Sequence, residues 1–163
     1  MDTTAQAPVI EWLKRRPWKS ALVAGIGGAL AIAILAATHE LTELSVLIPP
    51  FGASCVLAFG FPASPFAQPK NIIGGHVISA IAGLIACSLL GYGVMGVSVG
   101  VGLAIAAMMV TDTVHPPAGA NPVVIALTRP ELSFVILPVL VGAVVVVMSA
   151  KAFRISLSDA LRR

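Results

Sequence analysis

The chain has 163 residues, of which 58% are hydrophobic and only 10% charged, with a mean hydropathy of +0.99. A water-facing surface needs about a quarter of its residues charged, so this composition excludes an ordinary soluble domain. The formal net charge of +3 gathers at the ends, with Lys14, Arg15, Arg16 and Lys19 before the first apolar run and Lys151, Arg154, Arg162 and Arg163 after the last. Both clusters abut membrane segments, which argues against nucleic acid as a partner and for the positive-inside rule, with both termini cytoplasmic.

In chain order, residues 1–10 read as a short polar tail, and Glu11 to Lys19 as an interfacial helix with Trp12 and Trp18 at headgroup level. The first span runs from about Ser20 to Ala37, with Ala21, Gly25, Ala29, Ala33 and Ala37 in a four-residue register that lets another helix approach closely. Thr38 to Ile48 is expected to be a polar connection carrying His39, Glu40 and Glu43. Pro49-Pro50 opens a short apolar piece, Phe51–Phe61, stopped by Pro62 and followed by a proline-rich loop to Lys70. The second span, about Ile72 to Leu90, has its own small-residue stripe in Gly75, Ser79, Gly83, Cys87 and Gly91.

A Gly91-Tyr92-Gly93 turn leads to the third span, Val94 to Thr111, which carries Gly96, Gly100 and Ala104 on one face. A polar, proline-broken island follows: Thr111-Asp112-Thr113-Val114-His115-Pro116-Pro117-Ala118-Gly119-Ala120-Asn121-Pro122. Val123–Leu127 is again half-length, and the fourth span covers Leu132 to Ala150 with a kink expected at Pro138. The tail from Lys151 places Phe153, Leu157 and Leu161 on one face and reads as an interfacial helix. The expected organisation is therefore a tail (1–19), one membrane domain (20–150) and a basic C-terminal tail (151–163). Cys55 and Cys87 sit in apolar surroundings and read as small core residues.

At an offset of 67 residues, Pro49-Pro50-Phe51-Gly52-Ala53 falls on Pro116-Pro117-Ala118-Gly119-Ala120. Each copy is preceded by a long span and followed by a short piece, a proline-containing loop and another long span. This predicts an all-α bundle of four long transmembrane helices plus two short Pro-Pro-x-Gly-Ala half-helices, in repeats of about 20–90 and 94–150. If the short pieces are re-entrant, there are four crossings and the repeats are parallel. If they complete broken crossings, there are six, and the repeats are inverted.

A proline pair suits the first turn of a helix, and a helix N-terminus inside a membrane presents free N–H groups and a positive dipole end, which favour an anion. The candidate binding residues are Pro50, Phe51, Gly52, Ala53 and Ser54 in the first copy and His115, Pro116, Pro117, Gly119, Ala120 and Asn121 in the second. Two proline kinks with glycines for packing would explain the same residues. An acidic group near a membrane centre costs about 2.5–3.5 kcal/mol on insertion scales, so Asp112 calls for a partner or a cavity. His115 and His76 are candidates for proton coupling, or for plain interhelical hydrogen bonds. His39, His76, His115 and Asp112 show no metal-ligand spacing, and no cofactor motif is present, so no metal, no cofactor and no enzymatic activity are expected.

The run His115-Pro116-Pro117-Ala118-Gly119-Ala120 resembles the signature of the HPP family of integral membrane proteins. Pro50-Phe51-Gly52-Ala53-Ser54 and Ala67-Gln68-Pro69-Lys70-Asn71-Ile72-Ile73-Gly74-Gly75-His76 are similar to that family's pattern, and the likeness extends from Pro17 to Ala150. The resemblance implies four hydrophobic spans and, from the plant chloroplast and cyanobacterial members associated with nitrite, a transporter or channel for a small monovalent anion in a bacterial inner membrane. The expected partners are that anion, the bilayer and further copies of the chain. A non-transporting scaffold or sensor, and a membrane enzyme using Asp112 and His115, are the alternative readings.

Overall fold

The computed structural model describes residues 18–42 and 46–162, and the side chains of 18–38 and 46–156 among them. Helices are the only regular elements among the described residues. They are α1 (Trp18–Thr42), α2 (Pro50–Cys55, prolonged by a wider helical turn through Gly60), α3 (Pro69–Leu90), α4 (Val94–Val110), a 3-10 segment (Pro116–Ala120) leading into α5 (Asn121–Thr128), and α6 (Val141–Arg162). Trp18–Thr38, Pro69–Leu90 and Leu132–Ser156 are long and apolar enough to cross a membrane, whereas Pro50–Gly60 and Val94–Val110 are shorter apolar helices. The third expected span is thus 17 residues long, or about 25 Å at 1.5 Å per residue.

The stripes on α3 and α4 account for the most extensive helix–helix contact among the described residues, the pair joined at Gly91. Gly91 has a φ of +81°, which only glycine adopts without strain. The buried face of α4 is Gly96, Gly100, Ala104 and Met108, the expected register. Pro122 lies against both Gly83 and Gly100: a Cβ would come within 2.8 Å of its Cα at the first and 3.2 Å of its Cβ at the second. The break between α4 and α5 can therefore sit in the groove of the α3–α4 pair.

The stripe Ala21, Gly25, Ala29 and Ala33 faces outward, and α1 packs on the rest of the chain through Gly27, Ala31 and Leu35; two other expectations are corrected. A regular spacing of small residues says that a backbone can approach, not which one does. The connection expected from Thr38 is helical up to Thr42, because His39-Glu40-Leu41-Thr42 contains no breaker. The C-terminal residues continue α6 rather than forming a separate element, and Phe153 stacks edge-on against Phe59 of the α2 extension. Residues 1–17, the expected tail with most of its interfacial helix, and the side chains of His39, Glu40, Glu43, Leu157 and Leu161 lie outside what is described. The kink expected at Pro138 is present, with non-helical φ and ψ at Leu137 and a regular helix from Val141.

Contacts at the two ends fix which elements meet. Lys70 at the start of α3 pairs with Asp112 after the end of α4. At the opposite end the Arg129 guanidinium lies over the Tyr92 ring, with centroid distance 5.4 Å. Tyr92, Pro130, Glu131 and Leu132 line one hollow there. The core between these ends holds Leu35, Phe51, Ile72, Ile125, Val139 and Val146, with little or no exposure.

Candidate functional site

Six polar residues are buried among those described: Ser54, His76, Ser79, Thr113, His115 and Asn121. Four of them form one cluster. α2 carries Ser54 on its buried face beside Phe51, and α3 carries His76 one turn below Ile72. His115 stands in extended backbone just before the 3-10 segment, and Asn121 at the join of that segment with α5.

The Ser54 Oγ lies 2.8 Å from the Nε2 of both His76 and His115. The His115 Nδ1 lies 2.7 Å from the Phe66 carbonyl, and the Asn121 Nδ2 donates to the His76 carbonyl at 2.9 Å and approaches the His76 Nδ1 at 3.3 Å. The two imidazoles and the Phe51 ring stack edge to face, with centroids 5.0 Å apart in each pair. Among the described residues no buried side-chain N or O lacks a partner. Ser54 and Asn121 are equivalent positions at the 67-residue offset, and both reach the same imidazole.

Close approach makes this possible. A Cβ at Gly75 would stand 2.7 Å from the His115 Cβ and 2.8 Å from the Thr113 carbonyl. The Asn71 amide donates to the Val114 carbonyl at 2.9 Å, and the Ser79 hydroxyl to the Ala118 carbonyl at 2.6 Å. These bonds satisfy carbonyls that the broken helix leaves without intrahelical donors. The stripe on α3 is therefore the seat of the polar island.

The other predicted site residues divide clearly. Pro50 and Phe51 are buried, Pro117 and Gly119 half-buried, and Gly52, Ala53, Pro116 and Ala120 exposed. A Cβ at Gly52 or Gly119 would meet nothing within 4 Å, so neither glycine serves close packing within the chain. The amide donors expected for an anion are partly committed: the N–H groups of Phe51 and Gly52 donate to the Ile48 and Pro49 carbonyls, and that of Asn121 to the Ala118 carbonyl. Tight first turns use these amides before any ligand can. Side chains, not the whole row of amides, form the polar centre.

Asp112 is corrected outright. Its side chain is 91% exposed and pairs with Lys70, while both His115 nitrogens are occupied by Phe66 and Ser54. An Asp112–His115 base pair is not formed. A left-handed turn at Asp112, with φ of +53°, ends α4 and swings its carboxylate away from the island. The hydrogen bond from Lys70 and its charge hold the Asp112 carboxyl below the usual carboxylate range. A depressed pKa gives a stabilisation present above the unfolded carboxylate pKa and lost as pH falls through the folded value. Both groups are solvent-screened, so Asp112→Asn is expected to leave the thermal midpoint almost unchanged at neutral pH and to flatten its acid dependence. Melts of both proteins from pH 7 to pH 3 check this.

Sequence reasoning missed Phe66, Asn71 and Ser79 as partners of the polar island. Phe66 acts through its carbonyl, which leaves no side-chain signature. Ser79 was visible only as one member of a packing stripe. Cys55 and Cys87 are both buried and free, as small core residues. Among the described residues no group of three or more His, Cys, Asp or Glu side chains converges as a metal site.

The profile of the family described as "HPP, transmembrane region" matches residues 13–159. A transmembrane protein of Dictyostelium discoideum is 33% identical over 137 residues, covering 78% of this chain and 48% of its own length. A second transmembrane protein of the same organism is 32% identical over 144 residues, covering 82% of this chain and 44% of itself. The chain thus spans less than half the length of these relatives. No solved structure matches it significantly.

Proposed function

Because the chain belongs to the HPP transmembrane family, we propose that this multi-pass membrane protein transports a small monovalent anion, and that nitrite is that anion. One observation carries the reading: Ser54, His76, His115 and Asn121, each without solvent exposure, meet where the two broken helices converge. Polar groups inside a lipid-soluble bundle are costly, and where they are retained they mark ion and substrate pathways. The open sides of Gly52 and Gly119 are where the anion approaches. It then lies beside Ser54 and Asn121, one from each motif, next to the imidazoles. Nitrite comes from the family resemblance of the HPPAGA run.

Transport of this kind is served by two inverted halves, and the end contacts support that arrangement. Asp112 meets Lys70 at one end and Arg129 meets Tyr92 at the other, so residues 112–129 run the length of the bundle. Phe51 lies against Gly142 and Phe59 against Phe153 and Gly27, so α2 runs alongside α6 toward the Lys70 end. On this reading there are six crossings. Lys70 lies on the side of both basic termini, leaving Arg129 as the one basic residue opposite, and the positive-inside rule makes the Lys70 side cytoplasmic. Lys70→Cys is then labelled by a membrane-impermeant maleimide in inverted vesicles and not in intact cells. Labelling in intact cells would contradict the inverted arrangement.

The outward-facing stripe Ala21, Gly25, Ala29 and Ala33 supports assembly with further copies of the chain. Binding is tested by thermal melting. Nitrite at about 100 times its Kd stabilises the native protein by ≈ 2.7 kcal/mol and raises Tm. Sulfate at equal ionic strength does not. Identical melts in the two salts favour a scaffold that binds no anion.

A further inference from the structure

The hydrogen bonds of the cluster assign its protons. The Phe66 carbonyl only accepts, so the His115 Nδ1 carries a hydrogen. In the neutral ring the His115 Nε2 is then an acceptor. Ser54 has one hydroxyl hydrogen, and it donates this to the His115 Nε2 at 2.8 Å. The Ser54 oxygen must accept at its other short contact, so the His76 Nε2 carries a hydrogen. The His76 Nδ1 is left as an acceptor; the Asn121 Oδ1 and Nδ2 both lie 3.3 Å from it, and of the two only the Nδ2 can donate. Every donor has an acceptor in this neutral arrangement.

The same atoms satisfy one further proton. If the His115 Nε2 gains a hydrogen, it donates into Ser54, whose oxygen has two lone pairs for the two imidazole N–H groups. The Ser54 hydroxyl then turns to the Pro50 carbonyl, 3.2 Å away. Nothing else has to move. Both charge states thus have a complete hydrogen-bond set, as a buried polar network requires, whereas a purely structural role needs only one.

We propose that the His115–Ser54–His76 cluster is the binding site of a co-transported proton, so that anion and proton cross together as an electroneutral pair. This rests on the anion-transport reading above. The step is balanced: a hydronium ion on the loading side gives up one O–H bond and leaves water, the new N–H bond forms at the His115 Nε2, and that bond breaks when the proton passes to water on the other side. No electrons move. The single positive charge on the imidazole offsets the single negative charge of the anion held beside Ser54 and Asn121. The transferred unit then carries no net charge through a low-dielectric interior.

The surroundings leave this charge to the imidazoles. Among the described residues the titratable groups on the adjoining elements are Cys55 on α2, Cys87 on α3, Lys70 and Asp112, which pair with each other at the surface, Arg129 at the end of α5, and Lys151 and Arg154 on α6. Neither histidine is hydrogen-bonded to any of them.

The test uses proteoliposomes of the full chain with a pH dye inside and an imposed nitrite gradient, corrected for protein-free vesicles. Wild type is expected to acidify the lumen in step with nitrite entry, one proton per anion, at a rate unaffected by a valinomycin potential of either sign. Ser54→Ala is expected to lose about 100-fold of the proton flux, and Ser54→Thr, which keeps the hydroxyl, to regain most of it. The ¹⁵N signals of the two imidazoles in bilayers report the proton assignment directly, with Nδ1–H in His115 and Nε2–H in His76. Nitrite entry without protons, or at a rate that follows the voltage, overturns the proposal and leaves anion transport standing. The opposite tautomers overturn it as well. Absence of any nitrite flux overturns the transport reading itself, and the coupling with it.

Discussion

Replacing His115 by alanine is expected to lower saturable nitrite uptake by at least about 100-fold. The imidazole is the junction of the site, bonded to the loop through Phe66 and to α2 through Ser54. Its removal takes away the group on which the charge of a bound anion can be offset. It also leaves Ser54 facing a void in a buried place, at a cost of roughly 1–3 kcal/mol. Lower stability and lower uptake must therefore be separated. Uptake is normalised to folded, correctly inserted protein by size-exclusion profile and melt, and His115→Gln serves as the better-packed variant. Both variants are expected to lose transport. Full uptake by either would show that the imidazole has no part in it.

The second large effect is on folding. Gly75→Val is expected to destabilise the protein by roughly 1–3 kcal/mol, in the range of overpacked interiors. A Cβ there meets the His115 Cβ at 2.7 Å and the Thr113 carbonyl at 2.8 Å. That backbone cannot retreat, since Asn71 holds Val114 on one side and Ser79 holds Ala118 on the other. Gly119→Ala is the matched control for stability. A Cβ there meets nothing within 4 Å, and removing a glycine also restricts the unfolded chain. Melts of the two variants in the same detergent should differ clearly in Tm. Equal values would mean that the polar island is not seated on α3 through Gly75.

What could be read from the residues, and what could not, follows from the range of the interactions involved. The membrane class and the stripes on α3 and α4 were legible because each rests on local spacing or composition. Gly75, Ser79 and Gly83 are four apart, and that period alone places them on one helix face. His76, Ser54, His115 and Asn121 come together across separations of 22, 61 and 45 residues. No local pattern reports such a meeting. The 67-residue offset did align Ser54 with Asn121, but their shared contact with His76 becomes visible only in three dimensions.

Asp112 shows the opposite failure. Three residues from His115 in an apolar chain, it reads as a partner of that histidine. The left-handed turn at Asp112 sends it to the surface and to Lys70 instead. The stripe on α1 is exposed within the chain, since small residues record a permitted approach without naming the partner. Of the half-helix amides expected to face an anion, those of Gly52 and Asn121 are taken by the Pro49 and Ala118 carbonyls in the tight first turns, which a residue pattern does not reveal.

The central claim is that the buried junction of the two Pro-Pro-x-Gly-Ala motifs carries an anion through the membrane. Uptake of nitrite by purified protein in sealed proteoliposomes tests it most directly, with wild type and Ser54→Ala reconstituted at equal density. The account predicts saturable uptake by wild type above that of protein-free vesicles, and its loss in the variant. Uptake by wild type no greater than in protein-free vesicles, or undiminished uptake by Ser54→Ala, would contradict it.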